Sequence, residues 1–270
     1  MAMKFFRKNK IDLSNSLPTF TVTDGSASNT GEDFTDLMRN RNNNSGWGTT
    51  GSADDGSTTM TVSFGETQSF TDILLVGHNF KNYNVQYYDG TTYQNFSTPI
   101  TSTDNTLSTN YHAFTEVATT AIRLKINGTQ VANADKYLKQ FLITEAIGTL
   151  SIEPEIKPQW DKDRKVTKFL SGKSFVAKSV GAFNCKVKMR SAYNNSDWTL
   201  IETLFRSYEG FLVWVTGGDI SALQAQSMVR EGYRLEDIFH MDLANEYSPE
   251  FLESRWANGM PIDLNFVEVS

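Results

Sequence analysis

Between Thr59 and Thr144 the chain carries a succession of short runs in which apolar and polar residues alternate, and no helical stretch of consequence interrupts them. The runs are Thr59–Phe64, Ile73–Val76, Asn84–Tyr88, Thr92–Phe96, Ala113–Val117, Ala121–Ile126 and Lys139–Thr144. Asp89-Gly90 within YYDGTTY is a strong hairpin signal, because both central positions of a type I′ turn need positive φ. Strands of this length and spacing bury one face only by packing sheet against sheet, so this part of the chain is expected to be a β-sandwich or jelly roll.

A second region changes its period twice. From Phe183 to Met189 the apolar residues alternate, with Phe183, Cys185, Val187 and Met189 on one side of a strand. After Asn194-Asn195-Ser196 the spacing becomes helical, with Trp198, Ile201, Leu204, Phe205 and Tyr208 behind an N-cap at Ser196 or Asp197 and a stop at Gly210. Phe211 to Val215 is then an apolar run of central-strand type. The unit is strand, helix, strand, which fits an α+β domain whose helix covers a sheet.

A chain of 270 residues is comfortable for two domains. Residues 149–165, framed by Pro154 and Pro158, read as an extended junction. The expected fold class is mainly β, with a β-sandwich or jelly roll over 1–148 and an α+β, β-rich domain over 149–270. Residues 1–19 are polar and basic, either an arm that docks on a neighbour or a frayed end. A short helical turn is expected over Asp33–Arg39, a long loop over Asn40–Thr59, helices over Ser221–Val229 and from Ser248, an imperfect strand pattern over Gly232–Phe239, and a last strand over Pro261–Val269. A chain ending on a strand leaves a sheet edge, a candidate contact between copies.

The net charge of −6 is spread over both halves, with 11 Lys and Arg against 14 Asp and Glu in residues 1–150. Neither half offers the basic face that phosphate recognition requires, so nucleic acid is not an expected partner. No apolar run of membrane-spanning length is present, and none of seven or more residues follows the basic MAMKFFRKNK lead. Membrane insertion and a secretory signal are therefore not expected, and the protein is expected to be made in a cytoplasm.

Candidate chemistry is sparse. The histidines at 78, 112 and 240 have no second His or Cys at metal-ligand spacing, and His78-Asn79 after an apolar strand end reads as a satisfier of loop backbone groups. Cys185, the single cysteine, falls on the apolar side of its strand and reads as a buried thiol. Asp54-Asp55 is a weak calcium pattern. No nucleophile elbow, phosphate loop or zinc motif occurs, so no catalytic residue, metal or cofactor is assigned and an enzyme is not expected.

Two stretches carry a resemblance. Trp47 before the Thr59–Gly65 strand, the Leu74-Leu75-Val76-Gly77-His78-Asn79 block, Val85–Tyr88 before Asp89-Gly90, Ala121–Ile126 and the closing Ile143–Gly148 segment are similar to the discoidin-like, or galactose-binding-like, jelly roll over roughly residues 11–150. Asp197, Trp198, Leu204, Phe205, Arg206, Gly210, Phe211 and Trp214 resemble a segment recurrent in bacteriophage tail-tip and baseplate proteins. The first resemblance implies a fold that binds sugars, lipids or proteins through variable loops. The second implies that 149–270 is an assembly domain that packs with copies of itself into a ring, and so a structural virion protein of a phage tail. Its partners would be copies of itself, other tail proteins and host-surface glycan. The alternative is a free carbohydrate-binding module.

Aromatic residues in loops of the first domain are the candidate carbohydrate contacts: Trp47, Tyr93 and Tyr111. Trp47, alone in a polar loop, serves equally as a plug that pins the loop to the core. Phe211, Trp214 and Phe266 are the candidate assembly residues, within Phe211–Val215 and the terminal Ile262–Val269 strand.

Overall fold

The computed structural model describes residues 2–12, 14–23, 41, 46–49, 56–160, 164–168, 174–178, 183–189, 195–207, 210–215, 238–244 and 262–269. These form two compact units, one of residues 6–146 with 236–238, the other of residues 1–5, 147–235 and 239–270. The described structure is mostly antiparallel β, of the sandwich or jelly-roll class expected from the alternating runs. The chain begins in the second unit with β1 (Ala2–Phe6), so the lead expected as an arm or a frayed end starts as a barrel strand.

The first unit holds β2 (Thr19–Thr23), β3 (Trp47–Gly48), β4 (Thr58–His78), β5 (Tyr83–Tyr88), β6 (Tyr93–Ser102), β7 (Thr109–Ile126) and β8 (Tyr137–Thr144). They pair in the order β3-β8-β4-β7-β5-β6, with β2 added on β4. Four of the expected short strands merge into two long ones. Within β4 the polar Glu66-Thr67-Gln68 stretch reads as a turn, yet the backbone pairing with β7 resumes beyond it after register shifts at Ser63/Gln68 and Phe70/Asp72. Gly65, at φ 75°, provides the left-handed residue at that break. Residues 58–63 of β4 pair with 121–126, while residues 72–76 pair with both 109–113 and β8. The core between them contains Met60, Val62, Phe64, Ile122 and Leu124, and Phe70, Phe96 and Phe114 add ring contacts at centroid separations of 4.4–5.9 Å.

Residues 7–12 lie along β8. The Arg7 and Lys10 amides donate to the Glu145 and Ile143 carbonyls at 2.8 Å, and Asn9 uses its side chain as a missing backbone unit, accepting from Ile143 N at 3.0 Å and donating to Phe141 O at 3.2 Å. Asp12, 1% exposed, is held by both carboxylate oxygens to Arg41, at 2.8 and 3.1 Å. Burial opposes its charge, but the Arg41 and Ser14 hydrogen bonds win and hold the carboxyl well below the usual range.

The second unit contains β9 (Ala146–Trp160), β10 (Arg164–Lys168), β11 (Ser174–Lys178), β12 (Phe183–Met189), the helix α1 (Asn195–Phe205), β13 (Phe211–Trp214), β14 (Ile238–Leu243) and β15 (Ile262–Glu268). Six strands close into a barrel in the order β1-β13-β14-β15-β12-β9. On β12 the buried Cys185 and Val187 alternate with Asn184, Lys186 and Lys188, as its period requires. α1 starts at Asn195, one residue ahead of the expected caps, and buries Leu200, Ile201 and Leu204 in the barrel unit's core. Gly210 stands at the entry to β13 rather than at the helix end; its φ of 70° and the Met241 carbonyl 3.1 Å from where a Cβ would sit both favour glycine. The helices expected over 33–39, 221–229 and from Ser248 lie outside the described residues, as do Tyr208 and residues 232–237 of the strand expected over Gly232–Phe239.

The terminal strand is not an edge. β15 pairs with β12 on one side and β14 on the other, because closure of a barrel leaves no open strand. The exception lies between β9 and β12. These two pair up to Phe183↔Trp160, and the chain between them forms the separate two-stranded β10-β11 ribbon, with Arg164↔Lys178 at one end and Lys168↔Ser174 at the other.

Candidate functional site

In the sheet of the first unit, each strand that points Met60, Val62, Ile122, Leu124 or Val85 into the core points its alternate residues the other way. The registers line these up across five strands. One rung is Thr21, Thr61, Arg123, Gln86 and Asn95. The next is Thr59, Lys125, Asn84 and Thr101, and beyond the first stands the pair Tyr88 and Tyr93. The Arg123 guanidinium lies over the Tyr93 ring with Cζ 4.1 Å from its centroid, and Arg123 Nε donates to Gln86 Oε1 at 2.8 Å. Gln86 Nε2 and Asn84 Nδ2 both donate to Asn95 Oδ1, at 2.9 and 3.2 Å, and Tyr88 packs against Tyr93 at 5.3 Å between centroids.

The face is therefore polar, ordered by its own hydrogen bonds, and unbalanced in charge. Arg123 and Lys125 stand on these rungs and no carboxylate does. Asp89, at the nearby hairpin, is engaged by Thr92 N at 2.7 Å, Thr91 N at 2.8 Å and Gln94 Nε2 at 3.0 Å, which hold its carboxyl below the usual range. Arg123 has one of its five N–H donors on Gln86; among the described residues no other hydrogen bond of its guanidinium is made.

Of the three carbohydrate candidates, only Tyr93 belongs to this face. Trp47 is 2% exposed, pairs with Leu138 in the β3-β8 ladder and is part of the core: it is the plug, not a stacking platform. Tyr111 is half-buried, lies edge-on to Phe6 at 5.7 Å and donates its hydroxyl to Asp72 Oδ1 at 2.7 Å. Asp72 Oδ2 accepts in turn from Ala146 N at 2.8 Å and from the Thr71 hydroxyl, so this cluster closes on itself. The assembly candidates also turn inward. Phe211, Trp214 and Phe266 are 2%, 5% and 0% exposed, and Phe5, Phe211 and Phe266 form a ring cluster with centroids 5.5–6.1 Å apart. An apolar aromatic in a strand is a core residue once the barrel closes around it.

His78 is fully buried. Its Nδ1 accepts the Phe80 amide hydrogen at 3.1 Å, which places the proton on Nε2, donated to Asn110 Oδ1 at 2.8 Å. Burial lowers its pKa from 6.5 to about 4 despite the Asn110 bond. Asn79 donates to Asp135 O at 2.7 Å and accepts from Tyr137 N at 3.0 Å, and His112 Nε2 stands 2.9 Å from the Tyr83 hydroxyl. The His78 and Asn79 side chains satisfy loop backbone, as expected, while His112 pairs with a side chain. Among the described residues no group of three His, Cys, Asp or Glu could hold a metal ion; Asp54 and Asp55 lie outside them.

Arg123, Gln86, Tyr88 and Asn95 escape a search for loop aromatics because they sit within strands. The signal that finds them is the polar half of the alternation in AIRLKI and NVQYY, read across strands rather than along one.

No family model and no curated protein sequence matches the chain. Solved structures do. Chitosan-binding module 1 of the chitosanase/glucanase from Paenibacillus sp. IK-5 is 18% identical over 51% of this chain and 98% of the module, with a TM-score of 0.40. CpGH89CBM32-5 of Clostridium perfringens, in complex with GalNAc-beta-1,3-galactose, is 12% identical over 46% and 94%, with a TM-score of 0.38. A Ruminococcus gnavus GH29 fucosidase in complex with fucose is 15% identical over 52% of this chain but only 27% of its own length, with a TM-score of 0.40.

Proposed function

We propose that the chain is a non-catalytic structural component of a bacteriophage tail, in which the barrel unit with its helix is the assembly element and the open-sheet unit is turned outward to contact host-surface glycan. The observation that carries the assembly half is the β10-β11 ribbon. Unpaired strand edges are where one chain adds to another, and a closed barrel has none. The ribbon grows out of the β9-β12 pair and hydrogen-bonds to no other described strand, so among the described residues it concentrates two unpaired edges in one place. Residues 161–182 also hold six Lys and Arg against two Asp in a chain of net charge −6, so the average surface of a second copy attracts them. Strand addition with charge complementarity supplies both affinity and register. Repetition around a ring would turn a weak saccharide contact on each copy into avidity.

The test is the mass of the full chain by light scattering, beside a variant in which residues 164–178 are replaced by a short Gly-Ser turn. The expected result is a discrete oligomer for the full chain and a monomer of unchanged circular dichroism for the variant. A full chain that stays monomeric at every concentration overturns self-assembly through the ribbon. The alternative, a free carbohydrate-binding protein, draws its support from the polar face around Tyr93 and Arg123, and that monomer is the result it requires.

A further inference from the structure

We infer that the outer face of β2, β4, β7, β5 and β6 is a binding face for an acidic saccharide, one bearing carboxylate or phosphate groups, with Arg123 as the residue that holds the anion. The inference rests on the reading that the first unit contacts saccharide, and it names the place and the chemical class. The place is the flat of a sheet rather than the loops at its end.

Four features converge there. The Arg123 guanidinium is fixed before any ligand arrives, stacked on Tyr93 at 4.1 Å and bonded to Gln86 at 2.8 Å. Immobilised in advance, it loses little rotamer freedom on binding, and four N–H donors unused among the described residues suit a two-pronged grip on a carboxylate or phosphate. Lys125 stands one rung away, opposite Thr59 and Asn84, and adds a second cation, with no acid among the described residues of the rungs to neutralise either. Tyr88 and Tyr93 offer partly exposed rings against which the C–H face of a sugar packs. The amides of Gln86 and Asn95 and the hydroxyls of Thr21 and Thr61 complete a rung of hydrogen-bonding groups of the kind that match sugar hydroxyls.

The charge selects among ligands. A neutral glycan laid on this face would strip water from Arg123 without giving it a counter-charge, a cost that an acidic glycan removes. A nucleic acid asks for more: its affinity grows with the number of phosphates neutralised, and two cations on an acidic chain are too few.

The test uses the full chain and three probes by calorimetry: oligogalacturonate for carboxylate, a glycerol-phosphate oligomer for phosphate, and a neutral galacto-oligosaccharide of matched length. The expected result is binding of one or both acidic probes at least about tenfold tighter than the neutral one, weakening as salt rises. Arg123→Gln should lose that preference and about tenfold in affinity, Arg123→Lys should retain part of it, and Tyr93→Ala should weaken every probe, all with melting temperatures close to that of the parent. Equal binding of neutral and acidic probes, reduced by Tyr93→Ala, overturns the acidic class and leaves the saccharide face standing. Acidic binding untouched by Arg123→Gln and Tyr93→Ala puts the site elsewhere and overturns the assignment. No binding of any probe overturns both this inference and the saccharide-contacting reading, while the light-scattering result for the barrel unit remains a separate matter.

Discussion

The two aromatic clusters of this chain are both built from strand residues and end in opposite environments. In the barrel, Phe5, Phe211 and Phe266 come from three strands and meet in a sealed centre, each 2% exposed or less. In the open sheet, Tyr88 and Tyr93 flank the Asp89-Gly90 turn at the edge and stay partly exposed beneath and beside Arg123. What separates them is topology and a hydroxyl. A closed sheet has only one place to put large apolar rings, whereas an open sheet has an outer face, and a ring with a polar tip can remain on it. The comparison predicts that truncating the first cluster costs stability and truncating the second costs binding.

The sharpest break would come from Phe266→Ala. Its ring is fully buried against two others, so removing it should destabilise the barrel by about 4 kcal/mol in chemical denaturation. Trp47→Ala, which empties the plug of the first unit, should cost about as much and leave saccharide affinity unchanged in whatever fraction remains folded. A cost below about 1 kcal/mol for Phe266→Ala would mean that its environment rearranges or is not a core, and the contrast would fail.

Acid should strike the first unit through His78. Its folded pKa is depressed below the unfolded one, so the stability it confers is fully present above pH 6.5 and is lost as pH falls through the window from 6.5 to about 4. The loss amounts to about 3 kcal/mol at the low end. His112, lowered mainly by burial, acts in the same direction. Denaturation midpoints at pH 7 and pH 4.5 for the parent and for His78→Asn measure this; the variant should show the smaller drop. Equal drops would place the acid sensitivity in other groups.

How much of this was legible in the sequence differs between the two units for a physical reason. Alternation and the Asp89-Gly90 turn identify the strands of the first unit well, since both are local signals. They fail at Glu66–Gln68, where a register shift lets one strand cross a polar break, because pairing to β7 is not visible in β4 alone. Phe211 and Phe266 illustrate the same limit: their apolar character was plain, but whether an apolar strand faces a core or a neighbouring copy depends on closure with β1, some two hundred residues away along the chain. Arg123 was hidden differently, as the unremarkable polar half of an apolar strand. It acquires meaning only when Gln86 and Tyr93 arrive beside it from other strands.

A smaller effect tests whether polar groups in the first unit are always matched. Gln140 on β8 is 1% exposed, opposite Val76, and among the described residues neither its amide nitrogen nor its oxygen finds a hydrogen-bond partner. An amide buried in this way costs more than an apolar group of its shape. Gln140→Met should therefore raise the denaturation midpoint, by about 1 kcal/mol of stability. A loss of the same size would show that the amide is satisfied in solution, by a water for example.

The smallest expected change in stability belongs to Tyr93→Ala, and it decides most about the outer face. The ring is only partly buried, and what it gives up is one aromatic pair with Tyr88 and one cation–π contact with Arg123, together less than about 1 kcal/mol at an exposed site. Arg123, released from its stack, should remain tied to Gln86 by a single bond and become more mobile, so that part of the lost saccharide affinity is entropic and would be visible in calorimetry as a weaker affinity with a larger unfavourable entropy. Tyr93→Phe separates the contributions. It keeps the stack and the ring face, and should bind nearly as the parent does if packing and Arg123 positioning dominate. An affinity as weak as that of Tyr93→Ala would mean instead that the hydroxyl contacts the ligand directly.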